Sequence, residues 1–230
     1  MTAPDLQAAA DSLAIGISII DRATAHAAST PGIDDQQTFL YDLAHAASAI
    51  EISRSLLDYG AKGDVEGKIA CAFIADALAE LQTKLFGQEE SWGVEQGEID
   101  MARNFIAKFK SPDFVASLST VNAPMHLDED FEMVADTFRR FAEDKIAPKA
   151  EHIHREDTDI PEEIIDGLAE LGCFGLSVPE EYGGFAAGSE SDYMGMVIAT
   201  EELSRASLGA GGSLITRPEI LTRALERGGT

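Results

Sequence analysis

Residues Leu168 to Gly184, LAELGCFGLSVPEEYGG, limit what this chain can fold into more than any other stretch. The segment opens as the end of an amphipathic helix and breaks at Leu171-Gly172. An apolar run follows, Cys173, Phe174, Leu176 and Val178, which needs burial on at least one side. Pro179, Gly183 and Gly184 are turn formers that must lie near the surface. The stretch is therefore a corner between helices, and no residue in it can carry chemistry alone.

Helical periodicity extends the same reading to the rest of the chain. Residues 4–29 read as a first helix with Leu6, Leu13, Ile17 and Ile20 inward, ending before Pro31-Gly32. Asp34 is expected to cap a second helix running to Tyr59, with Leu40, Leu43, Ala47, Ile50 and Leu57 on its buried face. After a Lys62-Gly63-Asp64 turn, a third helix from Val65 to Phe86 places Ile69, Phe73, Ala77, Leu78, Leu81 and Leu85 on one side. Alanines in these two helices allow close backbone approach in an antiparallel hairpin. A fourth helix covers about Ile99 to Phe109. No alternating strand pattern of useful length occurs, so the expected fold class is all-α.

Residues Ser111 to His126 contain Pro112, Asn122 and Pro124 and lack a sustained helical period. They are the candidate boundary between a helical extension, 1–120, and a second helical domain, 121–230; a long loop within one domain is the alternative. The second block starts with Leu127 to Ile146, whose Phe131, Val134, Phe138, Phe141 and Ile146 form an aromatic-rich face, and Pro148 is expected to interrupt or kink it. A short helix from Pro161 to Leu171 leads into the corner. Ser189 or Ser191 can then cap a helix through Met194, Val197, Ile198 and Leu203. A glycine-rich break, Gly209 to Gly212, separates it from a last segment, Pro218 to Arg227.

Composition excludes several function classes. With 17 basic against 41 acidic residues and a net charge of −24, the chain is unsuited to phosphate neutralisation or to anionic membrane surfaces. Cys71 and Cys173 are flanked by apolar residues and read as buried free thiols rather than a disulfide or a nucleophile. The N-terminal LQAAADSLAIGISII is interrupted by Asp11 and preceded by no basic segment, so it is neither a secretory signal nor a membrane span. The default compartment is the cytoplasm.

Few residues carry a chemical signal. His152 and His154, in HIHRED, cannot share one helix face at a spacing of two and read as a solvated turn rather than a metal site. Glu201 and Glu202 point about 100° apart on a helix, which suits a solvated face, or a partner for Arg205, rather than a carboxylate dyad. The GAGG of Gly209 to Gly212 lacks the GxGxxG context and the Gly-Lys-Ser/Thr ending of phosphate-binding loops. Ser213, Thr216, Arg217 and Ile220 are spaced three, four and seven apart, and one helical face carrying all four would suit a ligand with an acidic end. Pro218 opposes a straight helix there, and Arg217 on the surface before a proline-initiated helix is the competing reading.

The block from about Phe131 onward resembles the N-terminal helical domain of acyl-CoA dehydrogenases. FRRFAEDKIAPKAEHIHRED, then IPEEIIDGLAELGCFGLSVPEEYGG, then the helix ending EELSRA follow the family's order and spacing. The long helical extension, together with GGSLITRPEILTRALERGGT, looks like the members that oxidise methylsuccinyl-CoA to mesaconyl-CoA. The extension itself faintly resembles the family's own C-terminal helical bundle.

The resemblance implies FAD as cofactor, an acyl-CoA substrate, an electron-transfer flavoprotein as electron acceptor and a homo-oligomeric assembly that includes the remainder of the enzyme. The chain carries neither the family's Thr-Glu-Pro-Gly flavin loop nor its helical bundle with the catalytic glutamate. No residue here is therefore expected to be catalytic, and the chain alone is expected to be inactive and without bound flavin. The junction after EELSRA lines the acyl tail in the family. By that matching Ser213, Thr216, Arg217 and Ile220 are substrate-binding candidates, with Arg217 meeting a free carboxylate. A dehydrogenase of another short branched acyl-CoA and a non-catalytic helical interaction module are the alternatives.

Overall fold

A computed structural model describes residues 2–229, with the side chains of Ile33, Glu190 and Ser191 left aside. The proposed capping role of Ser191 therefore lies outside the described side chains. The described residues form ten α-helices joined by short 3-10 and π turns, and their single extended pairing is a bridge between Pro179 and Ala186. The fold class is all-α. Two compact units, Met1–Pro124 and Met125–Thr230, make up the chain.

In the first unit, α1 (Leu6–Ser29) is capped by Asp5, whose carboxylate accepts from the Ala8 N–H at 3.1 Å. It packs against a hairpin of α2 (Gln37–Gly60) and α3 (Asp64–Leu85). The two hairpin helices approach closely: a Cβ at Gly60 would stand 2.9 Å from the Ala70 Cβ. Ile19, Ile50, Ile74, Leu78 and Leu81 are almost wholly buried at this centre, each contributing about 1.5–3 kcal/mol by area. Short helices α4 (Arg103–Phe109) and α5 (Pro112–Leu118) close the unit through Phe105, tilted against Phe109, and Phe114, edge-on to Phe109.

Three local expectations change here. Asp34 falls in a 3-10 turn, Ile33–Gln36, and does not cap α2. Phe73 is exposed while its neighbour Ile74 is fully buried, because α3 packs against both α1 and α2 and its buried face is turned by one residue. Pro112 opens α5 at the start of the segment expected to lack helix, since its missing N–H costs nothing in a first turn. Residues 121–128 have no regular structure.

The second unit begins with α6 (Glu129–Phe141), capped by Asp128, which accepts from the Phe131 N–H at 2.9 Å. Pro148 does not break the chain's helical course. A π turn, Ala142–Ile146, carries α6 into α7 (Ala147–Glu156), with the Ala147 N–H reaching back to the Ala142 carbonyl. Proline in the first turn of α7 has no donor to lose there. HIHRED forms the exposed end of α7 rather than a turn, and Asp157 closes it in the left-handed region at φ 51°.

Next, α8 (Glu162–Glu170) buries Ile164 and Leu168 and stops at Gly172, φ +75°. The corner then closes on itself. Phe185 N–H donates to the Gly175 carbonyl and Ala186 N–H to the Val178 carbonyl, both at 3.0 Å. Ala199 and Leu203 of α9 (Glu190–Ala206) meet Phe138, Ala142 and Ile146 in the core, together with Ile164, Leu168 and Cys173. Met194 and Val197 of the same helix are exposed. Burial pushes the Cys173 thiol up to about 12, while both cysteines are free and buried.

Candidate functional site

The region singled out by sequence sits where α9 passes into α10 (Ser213–Gly228). Ser207 is extended, and its hydroxyl accepts from the Ala210 N–H at 3.1 Å, opening the π turn Leu208–Gly212. Ala210, Gly211 and Gly212 are buried in that turn. Their glycines serve close packing: a Cβ at Gly211 would stand 2.8 Å from the Leu203 carbonyl oxygen, and one at Gly212 would collide with the Ser204 side chain. The turn is thus filled by its own neighbours and offers no phosphate-sized cradle.

A single helix, α10, carries Ser213, Thr216, Arg217 and Ile220, with Pro218 inside it rather than at its start. The four therefore share one face at helical spacing. Ser213 and Thr216 are half-buried, and their hydroxyls are committed to the backbone. Ser213 Oγ donates to the Leu208 carbonyl at 3.1 Å, and Thr216 Oγ1 to the Gly212 carbonyl at 3.2 Å. Arg217 is exposed, and Ile220 is 66% exposed.

Arg217 forms no ion pair among the described residues. Among the described residues every arginine except Arg217 and Arg227 forms an ion pair with a carboxylate. In a chain with so large an acidic excess, a guanidinium left without a carboxylate is available to one that arrives from outside.

The junction is anchored by Glu202, which sequence reading gave either to a solvated face or to Arg205 as its partner. Glu202 is 5% exposed. Its Oε1 accepts from Arg139 Nη2 at 2.6 Å, and its Oε2 from Arg139 Nε at 3.3 Å and Arg205 Nε at 3.2 Å. Arg205 Nη2 also reaches Glu143 in the π turn after α6, at 2.7 Å. Burial raises the Glu202 carboxyl, but the hydrogen bonds and charge of Arg139 and then Arg205 outweigh it and hold it below the usual carboxylate range. The pairing with Arg205 is legible from the three-residue spacing; Arg139, 63 positions away, gives no local signal.

Beside α10 lies a cavity of about 270 Å³ between it, the corner loop and the start of α9. Arg223 paired with Glu219 stacks over the Tyr193 ring, 4.6 Å from its centroid, on this wall. Sequence reading missed this group, although the four-residue spacing of Glu219 and Arg223 was available. Among the described residues no group of three His, Cys, Asp or Glu side chains converges in a way that could hold a metal ion. None of the described helices is long and apolar enough to cross a membrane.

Comparison with known proteins identifies the second unit. Residues 128–230 match the family model described as acyl-CoA dehydrogenase, N-terminal domain. The chain is 32% identical to (2S)-methylsuccinyl-CoA dehydrogenase of Cereibacter sphaeroides over 88% of its own length and 40% of that protein. It is 34% identical to the mitochondrial short-chain specific acyl-CoA dehydrogenase of Sus scrofa over 41% of this chain and 22% of that one. It is 32% identical to the caffeyl-CoA reductase-Etf complex subunit CarC of Acetobacterium woodii over 42% of this chain and 24% of that one. The chain thus spans two-fifths or less of the length of these curated relatives. The second unit thus carries the N-terminal domain of the acyl-CoA dehydrogenase family, and its all-α fold agrees with that match.

Proposed function

We propose that this chain is the N-terminal part of an FAD-dependent acyl-CoA dehydrogenase that oxidises methylsuccinyl-CoA to mesaconyl-CoA. The extent of the match to (2S)-methylsuccinyl-CoA dehydrogenase carries the reading. An alignment over 88% of the chain has to run through both helical units, whereas matches over 41% or 42% fit within one. The first unit is then a helical extension and the second the family's N-terminal domain.

In this reading α10 forms a wall of the acyl pocket, and Arg217 meets the free carboxylate of the dicarboxylic acyl group. A carboxylate taken out of water needs a cation or several donors, and Arg217 is an exposed cation that forms no ion pair with the described residues. Ser213 and Thr216 help by fixing the first turn of α10, because their protons are spent on the Leu208 and Gly212 carbonyls. Ile220 supplies apolar contact. FAD is held by regions of the enzyme outside the described residues, an electron-transfer flavoprotein accepts the electrons, and the assembly is a cytoplasmic homo-oligomer.

The similarity to a short-chain specific acyl-CoA dehydrogenase supports a second reading, in which the substrate is an uncharged short acyl-CoA and Arg217 is a surface residue. The experiment that separates them is anaerobic mixing of the complete enzyme with methylsuccinyl-CoA or with an uncharged branched acyl-CoA. Rapid loss of the oxidised flavin spectrum with methylsuccinyl-CoA alone is expected. Bleaching only by the uncharged thioester would overturn the proposal.

A further inference from the structure

We propose that the groove between α10 and the corner loop is a docking surface for the residues that directly follow Thr230 in the complete polypeptide, seated by an apolar side chain and a basic one. This rests on the reading above that the chain is the N-terminal part of a longer enzyme. The family match runs to residue 230, and the match to (2S)-methylsuccinyl-CoA dehydrogenase covers 40% of that protein. Two hollows make up the groove. The 270 Å³ cavity beside α10 adjoins an open one of about 580 Å³, and Pro179, Glu181 and Glu226 line both.

The larger hollow is walled by Val178, Pro179 and Tyr182 of the corner and by Thr222, Leu225 and Gly229 at the end of α10. Tyr182 is 73% and Leu225 60% exposed, so an apolar wall stands open to water. Its rim is acidic. Asp192 is spent on the N–H groups of Gly188 and Ser189, and Glu219 on Arg223, whereas Glu181 and Glu226 form no ion pair among the described residues. An apolar residue beside a lysine or arginine matches this surface in polarity and charge. The chain's exit selects the occupant. Helix α10 stops at Gly228, and Gly229, extended at φ −73° and ψ 154°, is itself part of the wall. At about 3.3–3.6 Å per residue, a chain leaving Gly229 runs straight along the groove. A second copy would instead bring another net charge of −24 against the acidic rim. Glu226 lies about 180° round α10 from Arg217 at 100° per residue, so the docked segment backs the helix from behind the face proposed to meet the carboxylate.

Two measurements on the complete enzyme test this. With Tyr182→p-benzoylphenylalanine, irradiation is expected to link position 182 to a residue within about fifteen positions after Thr230, the length that spans the groove, as read by peptide mass mapping. Linkage to a second copy, linkage to a later part of the polypeptide, or no linkage would overturn the proposal. Leu225→Cys supplies the second readout. Its labelling by a maleimide is expected to be about a hundredfold slower in the complete enzyme than in the 230-residue chain, and Glu226→Lys is expected to speed it about tenfold in the complete enzyme. Equal rates in the two proteins, or no response to Glu226→Lys, would also overturn it. Flavin bleaching by methylsuccinyl-CoA is read separately: bleaching without linkage sinks the docking alone, and linkage without bleaching sinks the substrate reading alone.

Discussion

Arg139 of α6 grips Glu202 of α9 at two points, Nη2 to Oε1 at 2.6 Å and Nε to Oε2 at 3.3 Å, across 63 residues of sequence. The carboxylate is buried while the guanidinium is 41% exposed, so the grip joins a core position to the surface. Removing one side leaves the other with an uncompensated charge. Glu202→Gln keeps the shape and loses the charge. It is expected to destabilise the second unit by about 2 kcal/mol, a fall of about 10 °C in its melting transition. Arg140→Gln, whose partner Asp136 is the exposed end of an intrahelical pair, is expected to shift that transition by no more than about 2 °C, and calorimetry of the three proteins compares them directly.

The same grip makes acid stability specific. Because the Glu202 carboxyl is held below its ordinary value in the folded state, its contribution is present above the unfolded pKa of about 4.3 and is lost as pH falls through the lower folded value. Urea unfolding at pH 7 and at pH 3 should show the gap between the parent chain and Glu202→Gln closing at the lower pH. A gap of the same size at both would contradict the assignment.

Cys173 is a core residue and not a reactive thiol. With its pKa pushed up to about 12 by burial, the thiolate is scarce at pH 8. Its reaction with an aromatic disulfide reagent should be far slower in the folded chain than after denaturation, by about a thousandfold or more. Rapid labelling of the native chain at Cys173, read by peptide mass mapping, would show that the corner is open.

The corner itself depends on its glycines. A Cβ on Gly184 would run into the Val178 backbone, on the segment where Ala186 N–H bonds the Val178 carbonyl. Gly184→Ala is therefore expected to cost about 2–3 kcal/mol by forcing the loop apart. Gly195→Ala, in α9 with open space around its Cβ position, should gain up to about 1 kcal/mol.

Local chemistry accounts for what could be read in the sequence and for what could not. The α10 face was legible as spacing, and so was the corner, because Gly172, Pro179 and Gly183 dictate turns wherever they occur. The course of α6 into α7 was not, since a π turn has no side-chain signature and Pro148 reads equally as a break. Glu202 looked solvated because it adjoins the exposed Glu201 and stands in a charged pentad; only the approach of α6 reveals that it is buried. Phe73 was misplaced for the converse reason: a helix contacted on two sides hides alanines, Ala70 and Ala75, more fully than a phenylalanine.

The account turns on Arg217, and the direct measurement is steady-state kinetics of Arg217→Met in the complete enzyme. The substitution keeps an unbranched side chain and removes the charge. If α10 presents Arg217 to the free carboxylate, KM for methylsuccinyl-CoA should rise about thirtyfold, the loss of a charge-assisted hydrogen bond of about 2 kcal/mol, while KM for isobutyryl-CoA changes by less than about twofold. Equal changes for the two thioesters would contradict it.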